Sequence, residues 1–134
     1  TLNQITSLNI AMVEQPLPAD NDEGLRNIAS PIPLCADESC HTADDVIALV
    51  DKYQMVNIKL DKTGGLTAAF ELEQAARTAG LQIMVGCMLG SSIAMRAALP
   101  VAATAIMVDL DGAFLISDDI DNGLHYQRGN IVLR

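Results

Sequence analysis

Five apolar runs, each closed by a polar residue or glycine, set the rhythm of this 134-residue chain. They are Ile10 to Glu14, Ile32 to Asp37, Met55 to Lys59, Leu81 to Gly86 and Ala105 to Asp109. Their ends, at 14, 37, 59, 86 and 109, are 23, 22, 27 and 23 residues apart. That interval holds one strand and one helical return. Parallel strands need such crossovers, and a sheet covered by them reads as near-continuous apolar segments. The rhythm therefore predicts an α/β fold with parallel strands at about 9–14, 33–37, 55–60, 82–86 and 105–109. Two acids, a lysine, a glycine and a further acid then meet at the carboxyl ends of the strands. In (β/α) barrels that end carries the chemistry.

The segments between the strands read as helices. A short one is expected at 22–29. Another runs from Thr42, an N-cap with Asp45 three residues on, to about Tyr53. Gly64-Gly65 turns the chain into an alanine-rich helix at 66–79, which Gly80 closes. Gly90-Ser91-Ser92 opens a last one, to about 99. Beyond Gly112 the pattern changes to an acidic loop, Asp118 to Gly123, and a weak alternation around Arg128-Gly129-Asn130. The chain thus divides into 1–112, part of a barrel, and 113–134, a short C-terminal β segment.

Length and composition narrow the picture. A complete eight-fold barrel takes about 250 residues, so only part of one fits here. A chain that opens on Thr1 inside such a pattern is expected to be the C-terminal part of a longer protein. Half of the residues are apolar, which suits a globular core. A net charge of −9 and only 3% aromatic residues argue against a nucleic-acid partner. No apolar run approaches the roughly 20 residues of a membrane span. Cys35, Cys40 and Cys87 lack metal-site spacing, and an odd cysteine count points to the reducing cytoplasm.

Strand parity sorts the candidate chemistry. Residues two apart share a face. Met12 goes with Glu14, Cys35 with Asp37, Asn57 with Lys59, and Met107 with Asp109 and Asp111. The opposite set, Val13, Leu34, Val56, Ile58 and Val108, is apolar and suits packing under helices. Glu14 and Asp37 end neighbouring strands, which lie about 4.8 Å apart. Two carboxylates that close need a proton or a cation between them, and hard oxygen donors suit Mg²⁺. Lys59, one strand further, is either a base whose pKa a neighbouring cation lowers, or an ion-pair partner of Asp37 or Asp61. Gly86-Cys87-Met88 and Gly90-Ser91-Ser92 either present N–H groups to a substrate carboxylate or make a tight turn and N-cap. His41 and His125 read as surface residues. Met84, Met88, Met95 and Met107 read as core. Lys62-Thr63-Gly64 matches a β-lactamase motif but lacks its Ser-x-x-Lys partner.

Glu14-Gln15-Pro16, Ala36-Asp37-Glu38-Ser39, Asn57-Ile58-Lys59-Leu60 with Gly64-Gly65, and Gly86-Cys87-Met88-Leu89 resemble the enolase superfamily. Asp109-Leu110-Asp111-Gly112 is similar to the Asp-x-Asp of its dipeptide epimerases, of the L-Ala-D/L-Glu type. The resemblance implies a TIM-type barrel of which these are strands four to eight, with the tail returning toward a capping domain. It implies Mg²⁺ held by Glu14 and Asp37, with Lys59 as one acid/base and Asn57 in support. Cys87 and Met88 would line the substrate site, and Asp109 and Asp111 would bind the α-ammonium of a dipeptide. The first metal ligand and a Lys-x-Lys motif would precede Thr1, so that part of the protein is an expected partner, with homo-oligomerisation possible. The implied reaction is epimerisation, by α-proton abstraction to a metal-stabilised enediolate. Alternatives are a muconate cycloisomerase, an o-succinylbenzoate synthase, an N-acylamino-acid racemase or a non-catalytic half-barrel scaffold.

Overall fold

The computed structural model describes residues 2–133. Five parallel strands form one sheet in sequence order: β1 Val13–Glu14, β2 Leu34–Ala36, β3 Met55–Ile58, β4 Gln82–Val85 and β5 Met107–Val108. The helices are α1 Leu2–Ile5, α2 Val46–Leu49, α3 Leu60–Thr63, α4 Leu66–Thr78 and α5 Ser92–Ala102. A separate antiparallel hairpin joins β6 His125–Gln127 to β7 Asn130–Val132. This is the expected architecture: a parallel half-barrel sheet, plus a small C-terminal β segment.

Parity divides the core as the sequence pattern implies, except that Val108, expected under the helices, is exposed on the edge strand β5. Leu34, Val56, Ile58, Ile83 and Val85 pack with Leu72, Ala76, Met95 and Val101 from the helices. Cys35, Met55 and Met84 form a second cluster, joined by Met12 and Met107, on the opposite face. The concave side of the sheet is thus lined by sulfur-bearing side chains, which fill irregular space without demanding hydrogen bonds.

Local chemistry explains where elements differ from expectation. β1 is shorter than 9–14: Val13 N–H donates to the Pro33 carbonyl and Gln15 N–H to the Cys35 carbonyl. Pro33 itself has no N–H to return to the earlier residues, so the ladder stops there. The segment expected as a helix at 22–29 forms two 3₁₀ turns, Ala19–Asn21 and Glu23–Asn27. Gly24 weakens helix here, and the Asp22 side chain is committed to a buried network. The helix expected from Thr42 begins with the Thr42–Asp45 capping box as a 3₁₀ turn and ends at Leu49, short of Tyr53. α4 buries Ala69, Leu72 and Ala76 on one face. It closes in a Schellman pattern, Leu81 N–H to the Ala76 carbonyl and Gly80 N–H to the Arg77 carbonyl, with Gly80 at φ +82°. α5 runs to Ala102, past Pro100, which sits close enough to the end to cost little pairing.

The tail folds back on α5. Asp119 accepts from the Ser92 N–H and hydroxyl, and the Ser92 Oγ accepts from Leu124 N–H at 2.6 Å. Arg96 donates to the Asn122 carbonyl at 2.5 Å. Arg128 and Gly129 take the two positive φ angles of the hairpin turn, +51° and +75°. Tyr126 packs on Phe114 with ring centroids 5.7 Å apart.

Candidate active site

The polar ends of β1, β2 and β3 converge. Glu14 closes β1, Asp37 follows β2, and Lys59 follows β3 as the residue that opens α3. Lys59 Nζ donates to Asp37 Oδ2 at 2.7 Å. Asn57 Nδ2, two residues back on the same face, donates to Glu14 Oε1 at 2.6 Å. Its Oδ1 is buried without a hydrogen-bond partner among the described residues. Gly86 is what leaves room for it: a Cβ there would stand 2.7 Å from both polar atoms of the Asn57 amide. β4 thus contributes an absence, a side chain that would push Asn57 off Glu14.

A second lysine completes the cluster. Lys62 Nζ lies 2.5 Å from Asp37 Oδ1 and 2.6 Å from the Asp37 carbonyl, and it also reaches the Asn57 carbonyl at 3.2 Å. Both Asp37 carboxylate oxygens therefore carry an ammonium. In the sequence Lys62 stands inside a Lys-Thr-Gly motif that does not mark it as a partner of Asp37. The usable signal was its spacing: three residues beyond Lys59, on one helical turn, it shares the Lys59 side.

Electrostatics follow from these contacts. Burial alone would raise Asp37, but its hydrogen bonds and ion pairs with Lys59 and Lys62 outweigh it and hold the carboxyl below its ordinary value. For Lys59, burial favours the neutral form. Asp37, with Glu14 and Glu38 behind it, reverses that and raises the pKa. In this arrangement Lys59 is an ion-pair partner of Asp37, and its ammonium form is favoured.

Asp109 and Asp111 lie beyond β5, where Asp109 N–H donates to the Val85 carbonyl at 2.9 Å. Desolvation first, then the charge of Asp111, lifts the Asp109 carboxyl above its usual range, with Lys59 pulling the other way. Leu110, between them, is buried, and its carbonyl accepts from the Tyr126 hydroxyl at 2.7 Å. The loop closes on Cys87 and Met88: a Cβ at Gly112 would run into the Met88 carbonyl, and would stand 3.2 Å from Cys87 Sγ. Burial raises the Cys87 thiol pKa. Met88 is half exposed and is not core, unlike Met84 and Met95. The Ser92 N–H, one reading of which was a carboxylate receptor, is occupied by Asp119.

Glu14 and Asp37 offer hard oxygen donors of the kind Mg²⁺ takes, and the two ammonium groups on Asp37 mark a place where positive charge is favoured. The donor set fits in kind and is incomplete in number, since no group of three or more such ligands occurs among the described residues. A cavity of about 780 Å³ lies elsewhere, between α5, Val108 and the hairpin, and touches only Asp109 and Asp111 of the candidate residues. Half of a barrel leaves its mouth as an open face, so the cluster has no enclosing wall.

The family model described as "Enolase C-terminal domain-like" matches residues 1–133. The chain belongs to the enolase C-terminal domain-like family. Among relatives of this enolase-like chain, an N-acetyl-D-glutamate racemase from a Pseudoalteromonas species is 53% identical over 127 residues, which are 95% of this chain and 40% of the relative. The L-Ala-D/L-Glu epimerase of Escherichia coli K12 is 48% identical, over 96% of this chain and 40% of its own length. A solved dipeptide epimerase from Methylococcus capsulatus, complexed with Mg and the dipeptide L-Arg-D-Lys, superposes with a TM-score of 0.88 at 33% identity. That match covers 98% of this chain and 40% of the solved one. The enolase-like chain thus spans about two fifths of the length of the racemases and epimerases it matches. No helix among the described residues is long and apolar enough to cross a membrane.

Proposed function

We propose that this chain is the carboxyl-terminal half-barrel of a longer, cytoplasmic, Mg²⁺-dependent dipeptide epimerase acting on an L-Ala-D/L-Glu type of substrate. The observation that carries the reading is the convergence of Glu14, Asp37, Asn57 and Lys59 at one sheet end, with Asp109 and Asp111 two strands away. Glu14 and Asp37 would hold the metal, which when bound neutralises the substrate carboxylate and so acidifies the adjacent C–H. Asn57 fixes the Glu14 carboxylate from behind. Lys59 exchanges a proton with one face of the α-carbon, as acid in its ammonium form and as base in its neutral form. The second face requires an acid/base from outside this chain. Asp109 and Asp111 put negative charge where a free α-ammonium is recognised, and Cys87 and Met88 line the same loop.

A second reading has its own support: the 53%-identical relative is named for an N-acylated amino acid. An acylated nitrogen carries no charge for Asp109 and Asp111 to meet, so the acid pair should count against it. Comparing kcat/KM of the complete enzyme for L-Ala-L-Glu and for N-acetylglutamate decides between them. We expect the dipeptide to be favoured at least tenfold, and Asp111→Asn to narrow that ratio. Preference for N-acetylglutamate, unchanged by Asp111→Asn, would establish the second reading instead.

A further inference from the structure

We propose that Gln15 is a positioning residue that sets the spacing of Glu14 and Asp37 for a divalent cation, and that its side-chain orientation is dictated by Asp22. The inference rests on the reading of Glu14 and Asp37 as metal ligands. It starts on the far side of the β1–β2 connection. Asp22 is buried, and Lys52 Nζ lies 2.5 Å from its Oδ1. A carboxylate can only accept. The Ser39 and Tyr53 hydroxyls therefore donate to Asp22 Oδ2, at 2.7 and 2.9 Å. Their protons spent, both oxygens offer only lone pairs to Gln15, and its Nε2 donates to them at 2.8 and 2.9 Å. The Leu17 carbonyl is a third acceptor at 2.8 Å, so the two N–H bonds of Nε2 are shared among three acceptors and Oε1 must face the other way. There it accepts the main-chain N–H groups of Asp37 and Ser39, at 2.9 and 3.2 Å.

The flipped amide would set oxygen against two lone pairs and NH₂ against two N–H groups, so the orientation is forced. Gln15 is joined to Glu14 by a peptide bond and to Asp37 by this hydrogen bond. One side chain thus spans both carboxylate-bearing strand ends. It does so from φ +37°, a region few non-glycine residues enter, which marks a conformation held by its surroundings.

The test measures Mn²⁺ binding by electron paramagnetic resonance in the complete enzyme without substrate, Mn²⁺ standing for Mg²⁺. Glu14→Gln serves as the reference for a lost ligand. Gln15→Met, which keeps length and loses every hydrogen bond, should bind Mn²⁺ at least tenfold more weakly, with thermal unfolding confirming a folded protein. A Gln15→Met protein that binds like the parent, while Glu14→Gln does not, overturns this inference and leaves the metal reading standing. Parent-like binding by Glu14→Gln removes both. Should Gln15→Met not fold, Asp22→Asn carries the test: a threefold or greater loss supports the proposal, and unchanged affinity overturns it.

Discussion

Asp22 shows how a residue far from the mouth governs it. The carboxyl is 3% exposed and Lys52 is 7% exposed, so the pair sits where neither charge is stable alone. Burial pushes Asp22 upward, but Lys52, Ser39 and Tyr53 together lower its pKa below the ordinary value. A carboxylate lowered in the folded state adds stability that is complete above its unfolded pKa of about 3.9 and is lost as pH falls through the folded value. Urea unfolding followed as a function of pH should therefore show a steep loss below about pH 4. Asp22→Asn should flatten that acid limb and cost about 1–3 kcal/mol at neutral pH, because it leaves the buried Lys52 with only the exposed Glu23 carboxylate, at 3.2 Å. An unaltered acid limb would mean that Asp22 titrates alike in both states. At this scale the sequence showed the residues that end strands, since a polar residue after an apolar run announces itself. Gln15 and Lys62 were hidden for a physical reason. The partners that fix them across the fold, Asp37 and Tyr53, lie 22 to 38 residues away, and only Lys62 had a local signal, its one-turn spacing from Lys59.

Elements were legible wherever periodicity and punctuation agreed. α4 had alanine-rich spacing, Gly64-Gly65 before it and Gly80 after it, and it lies within a residue of its expected bounds. The segment expected as a helix at 22–29 lacked such punctuation, and the chain forms 3₁₀ turns at Ala19–Asn21 and Glu23–Asn27 instead. The C-terminal hairpin was visible from its turn, but not its purpose. Its Tyr126 hydroxyl holds the carbonyl between Asp109 and Asp111, and its preceding loop caps α5 through Asp119. Removing one such neutral hydrogen bond costs about 1 kcal/mol of stability. Tyr126→Phe in the complete enzyme should therefore unfold only slightly earlier. It should raise KM for the dipeptide severalfold while kcat changes less than twofold, because the loop proposed to meet the ammonium loosens and the cluster proposed for proton transfer does not. Steady-state kinetics checks this; a fall in kcat at constant KM would contradict the assigned role.

At the scale of the molecule, a curved five-stranded sheet has edges at β1 and β5 that no strand among the described residues pairs, with the hairpin standing apart. Helices and apolar side chains cover its convex face, methionine and cysteine line its concave face, and ionisable groups gather at the carboxyl ends of the strands. The even beat of apolar runs made this topology readable, because parallel strands repeat at the length of a crossover. Lys59 is the residue on which the proposed chemistry turns. The decisive measurement follows α-proton exchange with D₂O, separately for each epimer of Ala-Glu, in the complete enzyme carrying Lys59→Ala. Losing a positioned acid/base should lower epimerisation by about 10²–10⁴-fold. One epimer, whose α-proton faces the remaining base, should still exchange while the other does not. Equal exchange of both epimers, or epimerisation at the parent rate, would contradict the account.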